Sequence, residues 1–208
     1  MKQLFKPSLT GKMIQTKAEL KYYLACDRIA LGKKQKRPAL FGDEIWKFQI
    51  CMRKLDYYKN LQKFGGGVLK KYYGLRYQCL SIRLGFSIPC DVIGPGLAIV
   101  HYGTIVISQN CRIGENCRIH AGVNIGANAG GKKAAAIGDC VYIGPGAKIV
   151  GDISIGSHAV IGANAVVVKD VPDGVTVGGV PAKMISENNS DKHLIKATEI
   201  VTGGGHRA

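Results

Sequence analysis

Acidic residues are scarce in this chain: 14 Asp+Glu stand against 29 Lys+Arg in 208 residues, a formal charge of +15 at pH 7. There is no run of about 18 apolar residues, which argues against a membrane-spanning helix. The opening MKQLFKPSLTGK has no apolar stretch behind its lysines, which argues against a secretory signal. Together these absences place the protein in the cytoplasm. Its seven cysteines (Cys26, Cys51, Cys79, Cys90, Cys111, Cys117, Cys140) are odd in number and contain no Cys-x-x-Cys pair, so neither a disulfide framework nor a zinc cage is expected. Proline is also rare, with 7 residues against 28 glycines; with 46% hydrophobic and 21% charged residues, this composition describes a folded, turn-dense chain.

The charge is unevenly placed. Residues 1–86 hold 19 Lys+Arg and 5 Asp+Glu, so +14 of the +15 lies there, and the remainder is nearly neutral. The pattern changes at the same boundary. Leu20, Tyr23 and Leu24, then Ile45, Trp46, Ile50, Leu55, Tyr58 and Leu61, recur at helical spacing, interrupted at Pro38 and at Gly65-Gly66-Gly67. Helices are expected near 17–31, 42–62 and 67–84, in a basic helical segment over 1–86. The first eighteen residues and a tail over 187–208 have little pattern and are expected to be loosely held or draped over a neighbour.

Over 87–186 a six-residue repeat takes over. Ile93, Ile99 and Ile105 are six apart. After a two-residue slip, positions 107, 113, 119, 125, 137, 143, 149, 155, 161 and 167 are all Ile or Val, and Gly131 alone breaks the series. This period is the signature of a parallel β-helix: each hexapeptide gives a short strand and a turn, three make a coil, and coils stack about 4.8 Å apart with the aliphatic residue on the axis. Cys111 and Cys117 fall in the small inward slot and are read as packing thiols. ANAGGKKAAA (127–136) replaces one strand without disturbing the phase and is expected to loop out from a prism edge, where function often resides.

The runs IGPGLAIVHYGTIVIS, CRIGENCRIHAGVNIGA and VGGVPAKMIS resemble the hexapeptide-repeat acyltransferases, and within them the serine acetyltransferase-like branch. The likeness covers about 88–186. It implies a mainly β fold, a left-handed parallel β-helix with an N-terminal helical segment, assembled as a homotrimer with acetyl-CoA as donor. No metal and no nucleic-acid partner are expected, on the grounds of residue spacing and motif. Serine acetyltransferases carry an Asp before the catalytic His, a second Asp upstream, and an Arg-His pair in the extruded loop. Here Val100 precedes His101, the stretch near 86–88 has no acid, and the loop offers Lys132 and Lys133. The shortened head and the HYG and IHAG motifs look more like the branch that O-acetylates sugars in capsule or exopolysaccharide synthesis. A sugar hydroxyl is therefore the expected acceptor, with serine O-acetyltransferase as the alternative.

Acetyl transfer from a thioester to a hydroxyl needs a base, and an imidazole suits it at neutral pH. His101 is the candidate, oriented by Asp91, Tyr102 or a backbone carbonyl. His120 lies about one coil, some 5 Å, from it on the same side of the prism and is the second catalytic candidate. Backbone N–H groups or a polar side chain around Gly126 to Asn128 are candidates for the oxyanion, and Gly126 and Ala127 for binding the cofactor. The resemblance also places the pantetheine arm against the corners at Pro145 and Ala163 and the nucleotide near Lys169 and Lys183. His158 is expected at a solvated corner, and His193 and His206 in the tail.

Three other readings follow from the residues. A zinc site would need a third histidine beside His101 and His120, which the spacing does not supply. A Cys90 or Cys140 nucleophile has no adjacent base in sequence. The basic head gives a non-enzymatic binding module as the lower alternative. It also suggests peripheral contact with an anionic membrane surface or a lipid-linked acceptor, although it carries no recognised nucleic-acid motif.

Overall fold

The computed structural model describes residues 14–61 and 66–203. Thr16 starts the first helix, α1 (Lys17–Ala30), with a capping box: its hydroxyl accepts the Glu19 N–H at 3.1 Å, and the Glu19 carboxylate accepts the Thr16 N–H at 2.9 Å. Helices α2 (Glu44–Asn60) and α3 (Gly66–Leu84) follow, within two residues of the expected bounds. Phe48, Met52, Leu80 and Leu84 join Phe86 and Ile88 in one apolar core that runs on into the repeat region, so the head sits on the coil without a break.

The repeats wind into a left-handed parallel β-helix whose three faces are three sheets. The first holds Phe86–Ser87, Ile105–Ile107, Asn124–Gly126, Lys148–Val150 and Val166–Val167. The second holds Arg112–Ile113, Ala136–Ile137 and Ser154–Ile155. The third runs through Ala98–Ile99, Arg118–Ile119, Tyr142–Ile143, Val160–Ile161 and Thr176–Gly178, and Lys183–Ser186 closes it as its one antiparallel strand. Register puts like on like. Ile99, Ile119, Ile143, Ile161 and Val177 stack on the third face, and Ile107, Ile125, Ile149 and Val167 on the first, all buried. Cys111 and Cys117 are fully buried between these columns. On the second face, glycine is imposed by close approach between coils. A Cβ at Gly114 would lie 2.7 Å from the Gly138 carbonyl oxygen, and one at Gly156 only 2.4 Å from the Asp173 nitrogen.

Two expectations need correction. The segment 127–136 does not replace a strand. Ile113 pairs with Ile137 on the second face, 24 residues on, where an uninterrupted coil would need 18, as from Ile137 to Ile155. The extruded loop is thus a six-residue insertion at the corner after Gly126, and the sequence phase survives because the insertion equals one period. The tail, over its described part, is not loosely held. It runs back along the corner between the second and third faces, where Asn116, Cys140 and His158 take left-handed backbone conformations at φ 53°, 55° and 59°. The Ser190 N–H donates to the His158 carbonyl, the Ser190 hydroxyl donates to the Cys140 carbonyl, and Asn116 and Thr198 exchange two hydrogen bonds of 2.6 and 3.0 Å. A short helix α4 (Ala197–Thr202) ends against α1, with Ala197 buried beside Cys26 and Ala30. Polar partners at the corner hold this strap, which is why hydrophobic periodicity did not reveal it. Of the first eighteen residues, 1–13 lie outside the described part, as does His206; Ile14 is buried with Leu20 and Tyr23.

Candidate active site

The two-residue slip in the repeat is a structural corner. Ile99 closes a strand of the third face, Ile105–Ile107 opens the next strand of the first, and the extra residues between them carry His101 out of the coil. His101 and Tyr102 are exposed there. Below the corner, the Val100 N–H donates to the Ile119 carbonyl and the His120 N–H to that of Ile143, so consecutive coils stack their histidines. The His101 and His120 ring centroids lie 6.1 Å apart; His120 continues onto Tyr142 at 5.0 Å, and Tyr142 onto His193 at 5.3 Å. The tail thus brings a third histidine to the row, which spacing alone had not shown, but Tyr142 separates it from the other two. Among the described residues no cluster of three or more His, Cys, Asp or Glu is arranged to hold a metal ion.

Where the head meets this corner there is a cleft of about 380 Å³. It is lined by Leu31, Lys33, Asp43, Glu44 and Trp46 from the helices and by Val100, His101, Tyr102 and Arg118 from the coil. Asp43 accepts the Ala39 N–H and is also bound by Lys33, which together hold its carboxyl below the usual range; Glu44 pairs with Lys47 at 3.1 Å. His120 is half-buried, and its ring nitrogen Nε2 is buried without a hydrogen-bond partner. Burial first, then the Arg118 and His101 charges, pushes its pKa below the ordinary histidine value, so it stays neutral where a free imidazole would begin to protonate. Among the described residues no side chain hydrogen-bonds the His101 ring. Asp91, one orienting candidate, instead accepts from Asn60 at 3.2 Å at the far end of α2.

The remaining candidates fall on two edges. Pro145 and Ala163 lie on the same edge as His101, one and two coils below the corner at Ala121, and both are exposed. The Pro145 carbonyl already accepts the Asn164 N–H, whereas the Ala163 N–H makes no backbone hydrogen bond among the described residues. Gly126 and Ala127 lie on the next edge, across the first face from His101, at the root of the loop, and the Gly126 carbonyl accepts the Gly151 N–H. One chain therefore does not bring them to His101. Lys133 in the loop reaches Asp152 at 3.3 Å. Lys169 and Lys183 are exposed near the last coil. His158 is not simply solvated: its Nδ1 lies 2.8 Å from Asp191 of the strap. Cys90 and Cys140 are poor nucleophiles; burial raises their pKa to about 12 and about 11.

Sequence reasoning missed Arg118, Asp43, Glu44 and Tyr142. Arg118 was legible in part, as the alternating outward residue two places before His120; the acids of the head become neighbours of the coil only through tertiary packing.

A coil of parallel hexapeptide rungs with a histidine raised on an inserted corner beside a cleft is the architecture of a hexapeptide-repeat transferase. Residues 134–169 match the family of bacterial transferase hexapeptide (six repeats). The chain is 43% identical over 102 residues to the serine acetyltransferase of Mycobacterium tuberculosis, covering 48% of this chain and 44% of that one. It is 42% identical over 124 residues to that of Staphylococcus aureus strain N315, covering 57% and 58%. Among solved structures, Neisseria gonorrhoeae serine acetyltransferase in complex with serine superposes with a TM-score of 0.61 at 31% identity, over 80% of this chain and 69% of that one. The Brucella abortus strain S19 enzyme in complex with coenzyme A gives 0.62 at 27%, over 83% and 70%. The chain belongs to the serine acetyltransferase-like family of hexapeptide-repeat transferases. It spans about half the length of the curated relatives it matches.

Proposed function

We propose that this chain is an acetyl-CoA-dependent O-acetyltransferase, working as a homotrimer, with His101 as general base. The observation that carries the reading is His101, raised on an inserted corner where it lines the cleft, with the His120 ring stacked 6.1 Å behind it. The acceptor hydroxyl gives its proton to the His101 imidazole as its oxygen attacks the thioester carbonyl carbon. The tetrahedral intermediate then collapses, the C–S bond breaks, and the imidazolium returns the proton to the departing thiolate, leaving an acetate ester and free coenzyme A. A neutral His120 does not oppose the charge that His101 acquires. The Ala163 N–H on the same edge is a donor for the pantetheine arm, and Lys169 and Lys183 are cations for the nucleotide. Exposed Val68, Leu75 and Ile82 on α3 support assembly with further copies. A trimer would also supply the Gly126–Ala127 edge of a neighbour to His101.

The relatives named above favour L-serine as the acceptor over the sugar expected from the motifs. A second reading, a sugar hydroxyl, is favoured by Val100 before His101 and by Lys132-Lys133-Ala134 in the loop. The deciding experiment is thiol release from acetyl-CoA with L-serine or a panel of sugars, each repeated with His101→Ala. Serine-dependent, His101-dependent release supports the first reading, release with a sugar alone supports the second, and release that survives His101→Ala overturns the mechanism.

A further inference from the structure

We infer that Arg118 is the residue that reads the acceptor, and that it selects a hydroxyl compound bearing a carboxylate; this rests on the acetyl-transfer reading of the same cleft. Arg118 is half-buried on the wall of the cleft, and its Nε is buried without a hydrogen-bond partner. Among the described residues its guanidinium makes no hydrogen bond or ion pair, whereas the other charged residues of the cleft are matched. Lys33 holds Asp43, and Glu44 holds Lys47, the latter from outside the lining. A buried donor left unpaired is costly, and a guanidinium fork presents parallel N–H groups that a carboxylate accepts in pairs.

Placement fixes what lies beside that carboxylate. Arg118 opens the strand Arg118–Ile119 and His120 follows its end, about 7 Å further along the chain, and the His101 ring stands 6.1 Å from that of His120. Ala98 pairs with Arg118 in the next rung, three residues before His101. Arg118 and His101 both line the cleft, so a carboxylate on Arg118 leaves a hydroxyl a few bonds away on the side of His101. The loop lacks an arginine to do this, and Arg118 supplies the cation from the body of the coil instead. Serine and the acidic sugars both have this chemistry. The paired state of Asp43 and Glu44 leaves neither of them free for an ammonium group.

The experiment uses glycolate, a hydroxyl beside a carboxylate, and ethylene glycol, its neutral counterpart. Both are titrated into the full-length protein while the imidazole NMR signals of His101 and His120 are followed. Glycolate is expected to shift both signals, ethylene glycol neither, and Arg118→Gln to weaken glycolate binding at least tenfold, with Arg118→Lys recovering part of it. Undiminished glycolate binding in Arg118→Gln, or equal shifts with ethylene glycol, overturns the inference. Turnover is read separately. If His101→Ala retains activity while glycolate binding still needs Arg118, the general-base reading fails and this one stands. KM comparisons of L-serine with L-serinamide, and of glucuronate with glucose, identify which source of the carboxylate the enzyme uses. Arg118→Gln should raise KM for the acid of the productive pair by an order of magnitude and leave the neutral compound unchanged; loss of kcat alone, with KM unaltered for the acid, speaks against the inference.

Discussion

Arg53 on α2 and Asp27 on α1 form an ion pair of 2.8 Å that is almost wholly buried, and both partners also grip the first coil. The Arg53 guanidinium donates to the Ile93 and Gly94 carbonyls, and Asp27 Oδ1 accepts the Gly96 and Leu97 N–H groups at 3.0 Å. The pair is the joint that fixes the head over the coil, and with it the wall of the cleft opposite His101. Removing either partner leaves a charge in a dry site. Arg53→Met and Asp27→Asn should each cost about 3–5 kcal/mol in denaturant unfolding, and the double substitution less than the sum of the two. Additive losses would show that the pair does not act as a unit.

Asp56 gives a pH prediction of definite sign. It is buried with Oδ1 unpartnered, and burial raises its pKa to about 6, against the lowering effect of Arg53. Because the folded value lies above the unfolded one, the protonated group favours the fold. That contribution is complete below about pH 4 and is lost as pH rises to about 6. Asp56→Asn should therefore stabilise the protein by about 2–3 kcal/mol at pH 8 and change little at pH 4, as read from thermal unfolding at the two values. Equal effects at both pH values would refute the assignment.

Much of this architecture is legible in the sequence, for a reason visible in the ladder: every inward Ile or Val of the 107–167 series is buried, so a short period writes the core directly into the chain. The helices were legible by the same rule at the helical period of about 3.6 residues. The loop was misread because an insertion of one full period is silent in phase and shows only in which rungs pair. The strap was missed because it is held by Ser190, Asn116 and Thr198 rather than by an apolar stripe. Arg118 and the acids of the head meet across about 75 residues of chain, a separation no local pattern encodes.

The strap protects a thiol. Cys140 is buried beneath it, with its carbonyl bound by Ser190 and its sulfur 3.9 Å from Asn116 Nδ2. Truncation after Asn188 should expose Cys140, adding one fast-reacting thiol to the exposed Cys79 in titration with a disulfide reagent. Thr198→Ala should have a milder effect, lowering stability by about 1–2 kcal/mol through the orphaned Asn116. No gain in reactive thiols after truncation would show that the tail covers nothing at this corner.

The histidine pair separates a base from its neighbour. If His101 removes the proton, His101→Ala should lower kcat by about 10²–10⁴ with little change in acceptor affinity. His120 stands behind His101, its ring 6.1 Å away, and does not take the proton, so His120→Asn should cost less. Burial, Arg118 and His101 depress the His120 pKa, so its NMR titration should fall to the acid side of an ordinary histidine, and further in the native protein than in Arg118→Gln. With the folded value below the unfolded one, His120 contributes stability above about pH 6.5 that is lost as pH falls through the depressed value. Activity should decline over that acid range, because a cationic His120 opposes the charge that His101 must acquire. A His120 that titrates at or above the ordinary value, or a His120→Asn variant as impaired as His101→Ala, would reverse the two roles.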